Sequence, residues 1–148
     1  MILYFFPLLV FAVALRVPKF LVPVLVVILP SYLLRTTIVG VPTTALELSI
    51  FAAVAGTVIM LLSRRIVWNF SSPTRWVWIM LSTWTLAWIL ATVFSLDRVA
   101  SLGAFKAWYV DPLLVLLLAS LLVTTSTDRL RVLQSIIFSG CSDRKSVV

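Results

Sequence analysis

Few side chains in this 148-residue sequence could perform chemistry, and most of those that could are cations. It contains no histidine and one cysteine, Cys141, so the commonest metal ligand and general base is absent and no Cys/His metal spacing exists. The sequence therefore predicts no metal site and offers no catalytic residue. What remains are lysines and arginines, whose guanidinium groups in particular suit bidentate contacts with phosphate.

The composition indicates whether water or lipid surrounds the chain. Hydrophobic residues make up 62% of the chain and charged residues 11%, with a mean hydropathy of +1.16 and a net charge of +7. A soluble domain carries about 25% charged residues, and a chain this short could not hide so much apolar surface from water. Because the cations stand at the ends of apolar runs rather than along one face, they indicate membrane topology and not binding to nucleic acid. The sequence predicts an integral membrane protein in contact with a lipid bilayer.

The apolar runs predict an all-α, polytopic bundle of about five transmembrane helices. Crossing a bilayer takes about 20 helical residues. The first two runs are short, and the second contains Pro23 and Pro30, so they could be two tilted spans or a helical hairpin, with a count of four as the alternative. The five spans are expected near residues 2–15, 20–34, 43–62, 76–94 and 107–125.

Helix starts are indicated by capping residues. Thr44 and Glu47 have the spacing of a capping box, in which the hydroxyl accepts the N–H of Glu47 and the carboxylate accepts that of Thr44. Asp111 and Pro112 could likewise be a cap and a first helical position, although a kinked continuous helix from Ser101 fits equally well. These four residues are the predicted structural caps.

The distribution of cations predicts the orientation. Positive charge concentrates in cytoplasmic loops, so the loop with Arg64, Arg65 and Arg75 is expected inside, and Arg129 and Arg131 fall on the same side two helices later. The loops that hold Arg35 and Arg98 then face outward. Five spans place the amino terminus outside, and four place it inside.

The end of the chain is expected to be incomplete. A sixth helix is expected at residues 127–139, where it stops near Gly140. A helix of that length is too short to span a bilayer. One back-translation of residues 143–148 reads as a common sequencing adapter, so residues 141–148 are interpreted as a non-native tail after the transmembrane region 1–140.

Two patches are more specific than lipid solubility requires. The first contains Pro30-x-Tyr32-x-x-Arg35 and Gly40-x-Pro42-Thr43-x-x-x-Glu47, and the second contains Leu102-Gly103-x-x-Lys106-x-Trp108-x-x-Asp111-Pro112. From about Pro30 to Leu118 the sequence resembles the amino-terminal part of the O-antigen ligase and polymerase family, in which such patterns recur in this order. The chain would be the front part of a member of that family.

The resemblance implies a glycosyltransferase of the bacterial inner (cytoplasmic) membrane. Such enzymes move a glycan from an undecaprenyl pyrophosphate carrier to an acceptor at the outer face, without a nucleotide sugar, an obligatory metal or another cofactor. The family's best-established functional residues, arginines and a histidine around a large external loop, have no counterpart here, so the fragment alone is expected to be inactive. Arg35, Arg98 and Lys106 are the candidate contacts for the pyrophosphate-linked glycan.

Simpler explanations remain for each candidate contact. Arg35 could be a helix-end residue that reaches the interface, Arg98 a partner of Asp97 or a headgroup anchor, and Lys106 an interfacial anchor. If the helix is continuous at Lys106, that lysine lies closer to the membrane, where ionisable residues tend to be functional. The alternative function is a small complete membrane protein that acts as a transporter subunit or assembly partner, and a pore is the weakest alternative.

Overall fold

The computed structural model describes residues 2–38, 41–66 and 75–143. The chain is 85% helical, which confirms the all-α prediction. Two 3₁₀ turns (Pro18–Phe20 and Leu29–Leu33), a π-helical turn (Lys106–Val110) and two short strands complete the described part. The α-helices of that part are α1 (Ile2–Arg16), α2 (Leu21–Val27), α3 (Ala45–Leu62), α4 (Arg75–Val93), α5 (Arg98–Phe105), α6 (Asp111–Leu122) and α7 (Ser126–Asp143).

Three helices of the described part are long and apolar enough to cross a membrane. They are α3, α4 and the continuous helix Arg98–Leu122, which contains α5, the π turn and α6. At 1.5 Å per residue, the 18 residues of α3 extend about 27 Å, close to the hydrocarbon thickness of a bilayer. These helices match the predicted spans 43–62, 76–94 and 107–125, except that the last one begins nine residues earlier.

The five-span count is not confirmed, because the first two runs form shorter helices. The described apolar helices there are Phe5–Arg16 and Pro18–Val27. Pro18 and Pro30 stand at the two interruptions, each at the start of a 3₁₀ turn, since proline lacks an N–H and cannot continue an α-helix without loss of a hydrogen bond. Thus α2 ends at Val27, and the chain continues as a 3₁₀ turn with Pro30 at its start. Pro23 lies inside α2.

A strip of small residues on α3 lets α1 approach closely. Ser49, Ala53 and Thr57 recur at intervals of four and are buried, and a methyl group on Gly56 would lie 2.5 Å from the Cβ of Ala14. The Ser49 and Thr57 hydroxyls donate to carbonyls of their own helix at 2.8 Å, so the strip stays satisfied. Such strips substitute for the hydrophobic effect within membranes. The core lies where α1 and α3 meet α2 and α6, around Val10, Leu21, Leu25, Ile50, Leu118 and Leu122.

The last helix packs against α2 and begins at a second capping box. The Asp128 carboxylate accepts the N–H and the hydroxyl of Thr125, at 3.2 and 2.6 Å, and the Asp128 N–H donates to the Thr125 hydroxyl. Arg131 pairs with Asp128 at 3.2 Å and lies over the ring of Phe20. The helix extends to Asp143, so Gly140 lies inside it and the predicted range 127–139 is too short. The predicted tail beyond residue 143 lies outside the described residues.

An unpredicted antiparallel hairpin precedes α3. Strand β1 (Arg35–Ile38) pairs with β2 (Val41–Thr44), with Arg35 opposite Thr44. The N–H of Ala45 then donates to the Leu34 carbonyl at 3.0 Å, which ties the start of α3 to the start of the hairpin. The end of the bundle that contains Thr44 and Glu47 is called the cap end below.

Candidate functional site

The predicted capping box is present at the start of α3. The Thr44 hydroxyl accepts the N–H of Glu47 at 3.2 Å, and the Glu47 carboxylate accepts the N–H of Thr44 at 3.1 Å. Both contacts satisfy backbone donors that the first turn of a helix leaves free. Thr44 and Glu47 are therefore structural caps, as the sequence predicts.

Glu47 has a second partner, which sequence reasoning did not find. The ammonium nitrogen of Lys106 lies 2.8 Å from Glu47 Oε2 and donates to the Thr43 hydroxyl at 3.3 Å. The side chains of Lys106 and Glu47 are 19% and 8% exposed, so the pair is largely withdrawn from solvent. One carboxylate oxygen thus caps α3 and anchors the long helix Arg98–Leu122. It joins two patches that are 59 positions apart in the sequence.

The helix widens into a π turn between Lys106 and Val110. The Asp111 N–H donates to the Lys106 carbonyl, five residues back, and Pro112 follows without an N–H to donate. Five residues would lie about 140° apart around an ordinary α-helix, whereas one π turn returns the fifth residue towards the same face. The π turn therefore brings Asp111 round towards the side of the helix that carries Lys106.

The continuous helix corrects the predicted cap at Asp111. Val110, at the preceding position, has helical backbone angles, and the α6 segment has no side-chain cap, because the helix passes through Asp111 without starting there. Pro112 sits in the first turn of that segment but continues an existing helix. The start of the helix is instead capped by Asp97, whose carboxylate accepts the N–H of Ala100 at 3.0 Å.

Asp111 is buried beside the ion pair. It is 6% exposed, and its carboxylate interacts electrostatically with Glu47 and Lys106. Within the described residues, Asp111 Oδ1 has no hydrogen-bond partner. We call Glu47, Lys106 and Asp111 the charged cluster. It contains two carboxyl groups and one ammonium group.

Aromatic residues attach α4 to the same turn. Tyr109 is buried, its ring stacks on Phe105 with centroids 5.4 Å apart, and its hydroxyl hydrogen-bonds to the Thr85 hydroxyl. Trp88 contacts Phe105 with centroids 6.1 Å apart. The sequence showed the aromatic composition of both helices, but pairing between them depends on tertiary packing that no spacing reveals.

The other two candidate cations lie at the cap end and are exposed. Arg35 lies on β1 opposite Thr44, and Arg98 begins α5, which packs against β2. Arg98 is eight residues from Lys106, or about 12 Å along the helix axis. The structure thus brings Lys106 close to the hairpin that contains Arg35, through the hydrogen bond to Thr43. Arg98 lies about two helical turns from Lys106, towards the start of α5.

An apolar cleft lies further along α3 and α6. It has a volume of about 140 Å³. Its walls begin at Val54, seven residues or about 10 Å beyond Glu47 along α3. The walls are almost wholly apolar, so the cleft can offer van der Waals contact but no charge or orientation for a reaction.

No protein-family model matches the chain, and no match is found among curated proteins or solved structures. Among the described residues, no group of three or more His, Cys, Asp or Glu side chains could hold a metal ion. The site consists of a charged cluster at the cap end of the bundle, with two exposed arginines at the same end.

Proposed function

We propose that this chain is the amino-terminal part of an integral membrane glycosyltransferase of the O-antigen ligase or polymerase type. The observation that carries the proposal is the Glu47–Lys106 ion pair, because it joins the two sequence patches on which the resemblance rests. Patches that act together in one site must meet in the fold. The three apolar helices support a membrane location, and the bacterial inner membrane and the multi-pass topology are part of the proposal.

The proposed role of the cap end is to hold the pyrophosphate of an undecaprenyl-linked glycan. Arg35 and Arg98 are exposed, so their guanidinium groups can form bidentate contacts with phosphate oxygens. Lys106 is the third proposed contact, but Glu47 balances its charge, so an anion would have to draw it away from that carboxylate. The cations would also stabilise the charge that develops on the departing pyrophosphate. Groups that activate the acceptor would lie elsewhere in the enzyme.

A binding experiment with charge-reversal variants tests this proposal. The full chain is reconstituted in nanodiscs, and undecaprenyl pyrophosphate binding is measured for the Arg35→Glu and Arg98→Glu variants. Loss of a charge-assisted contact should lower the affinity about tenfold or more, since each such hydrogen bond is worth about 1.5–3 kcal/mol. Arg64→Glu is the matched control, because Arg64 follows the opposite end of α3. Equal affinity of the two test variants and the Arg64→Glu control would contradict the proposal.

A second candidate is a small complete membrane protein that acts as a transporter subunit or assembly partner. The observation in its favour is α4, none of whose described residues is buried. A shallow groove on it is lined by Trp84, Ala87, Trp88 and Ala91, and small residues beside large ones can receive another helix. Crosslinking from Ala87→Cys to other membrane proteins, with no undecaprenyl pyrophosphate binding, would favour this candidate over the enzyme.

A further inference from the structure

The charged cluster has an unbalanced charge. Glu47 and Asp111 would contribute two negative charges, and Lys106 contributes one positive charge. Among the described residues, the helices that pack against α6 add no cation: α2 has no charged residue, and α3 has Glu47 alone. The helix α5, which packs against the π turn, contains Arg98, but that side chain is exposed and lies about 12 Å along the helix axis from Lys106. Arg35, on the nearby hairpin, is exposed. One more positive charge would make the cluster neutral.

The additional positive charge would lie next to Asp111. Its side chain is more than nine-tenths buried, and Oδ1 has no hydrogen-bond partner in the described part of the chain. A buried carboxylate oxygen normally has a donor or a cation next to it, because removing charge from water without a partner is costly. The charge of Lys106 acts on Asp111, but Oδ1 accepts no hydrogen bond from it, and the ammonium group lies within contact of Glu47 and Thr43.

The local backbone supports a built site at this position. The π turn places Asp111 one helical turn from Lys106, with the Asp111 N–H bonded to the Lys106 carbonyl. Single π turns are rare within α-helices and occur frequently at functional sites. An ordinary α-helix would turn Asp111 away from Lys106 by about 140°.

We propose that the charged cluster binds one monovalent cation, a proton or a sodium ion, at Asp111 Oδ1. Glu47 and Lys106 remain paired and neutralise each other, so the cation balances the negative charge of Asp111. A divalent ion would leave the cluster with an excess positive charge, so a single charge fits better. The inference does not depend on the proposed glycosyltransferase function, because it concerns the charge of the cluster alone.

Infrared difference spectroscopy on the full chain in nanodiscs tests the proposal. A bound proton predicts the carbonyl stretch of a protonated carboxylic acid at neutral pH in sodium-free choline chloride buffer, shifted in D₂O. A bound sodium ion predicts a change in the carboxylate bands when sodium chloride replaces choline chloride. Either signal should disappear in Asp111→Asn and persist in Asp97→Asn, since Asp97 is exposed and only caps α5.

A second variant separates cation binding from a structural role of Asp111. Glu47→Gln keeps an oxygen that can accept the Thr44 N–H, but it removes the negative charge of Glu47, so that the positive charge of Lys106 balances that of Asp111. The affinity for the cation should therefore fall at least tenfold while the helical circular dichroism stays unchanged. If wild type shows neither signal, or if the signal survives in Asp111→Asn, the proposal is wrong. It is equally wrong if Glu47→Gln binds as wild type does.

Discussion

Gly56 allows α1 and α3 to approach closely, because it lacks the methyl group that any other residue would place between them. It stands where α3 crosses α1, and a Cβ there would lie 2.5 Å from the Cβ of Ala14. Real Cβ atoms do not approach so closely, so any side chain would force the helices apart. The sequence has four glycines and no Gly-x-x-x-Gly, so it lacks the commonest signature of close helix packing in membranes. The structure instead uses serine, alanine, threonine and one glycine, a pattern that is too common to be recognised without knowing which face is buried.

We expect Gly56→Ala to destabilise the fold by about 1–3 kcal/mol, although alanine favours a helix by about 1 kcal/mol. Gly140→Ala is the matched control. Gly140 is also helical, but a Cβ there meets no atom within 4 Å, so this change should be neutral or stabilising. The double variant Ala14→Gly with Gly56→Ala should recover most of the loss. Thermal unfolding in detergent, followed by circular dichroism, measures all three, and equal melting temperatures for the two single variants would contradict the expectation.

At the scale of elements, the start of α3 was predictable from the sequence, whereas the start of the helix Arg98–Leu122 and the local irregularities were not. The Thr44–Glu47 box was predicted because the spacing of three positions between threonine and glutamate is sufficient to define it. The hairpin and the π turn were not predicted, since cross-strand pairing and the choice between a cap and a continuous helix at Asp111 depend on surrounding packing. The helix is continuous at Lys106, which was one of the two alternatives, and its role as a pyrophosphate contact stays a prediction. Its partner Glu47 is too distant in sequence to be inferred.

The start of α7 provides a pH-dependent prediction. The pKa of Asp128 is lowered, chiefly by the hydrogen bond from the Thr125 hydroxyl and further by the Thr125 N–H, Lys19 and Arg131. A lowered pKa in the folded state means that the carboxylate stabilises the fold above the ordinary aspartate pKa. That stabilisation disappears as the pH falls through the lowered value. Wild type should therefore melt above Asp128→Asn at neutral pH, and the difference should vanish in acid.

Thr125→Val is the companion variant for this cap, because it removes the main cause of the pKa shift and leaves Asp128 in place. Its melting temperature should depend less on pH than that of wild type between neutral and acidic conditions. A difference between wild type and Asp128→Asn that stayed constant down to the lowest pH would show that the charge of Asp128 does not stabilise α7.

For the whole molecule, hydropathy predicted the three long helices because length and apolarity are what a bilayer selects. The two spans predicted in the first two runs are not confirmed, because the described helices there are shorter. The predicted orientation remains open to a direct measurement. The end of α3 and the end of α6 should share the cytoplasmic side, and the hairpin should share the outer side with the segment between α4 and α5.

Single-cysteine labelling measures this orientation. In a Cys141→Ser background, Thr36→Cys and Leu96→Cys should react with a membrane-impermeant maleimide added to spheroplasts. Ser63→Cys and Thr124→Cys should react only after lysis, since they follow the inward ends of α3 and α6. The reason for this prediction is the group of arginines beyond α3, because positive charge concentrates in cytoplasmic loops. Labelling of Ser63→Cys in intact spheroplasts would invert the assignment.

The 25-residue helix from Arg98 to Leu122 also relates this protein to bilayer thickness. Its length of about 37 Å exceeds a hydrocarbon layer of about 30 Å, so about one turn extends beyond the acyl chains if the helix crosses without tilt. In a bilayer of short acyl chains, Arg98 would stand clear of the headgroups, whereas longer chains would draw it down to the glycerol level or tilt the helix. The depth at which this arginine meets lipid phosphate is therefore set jointly by the helix and by the acyl-chain length of the host membrane.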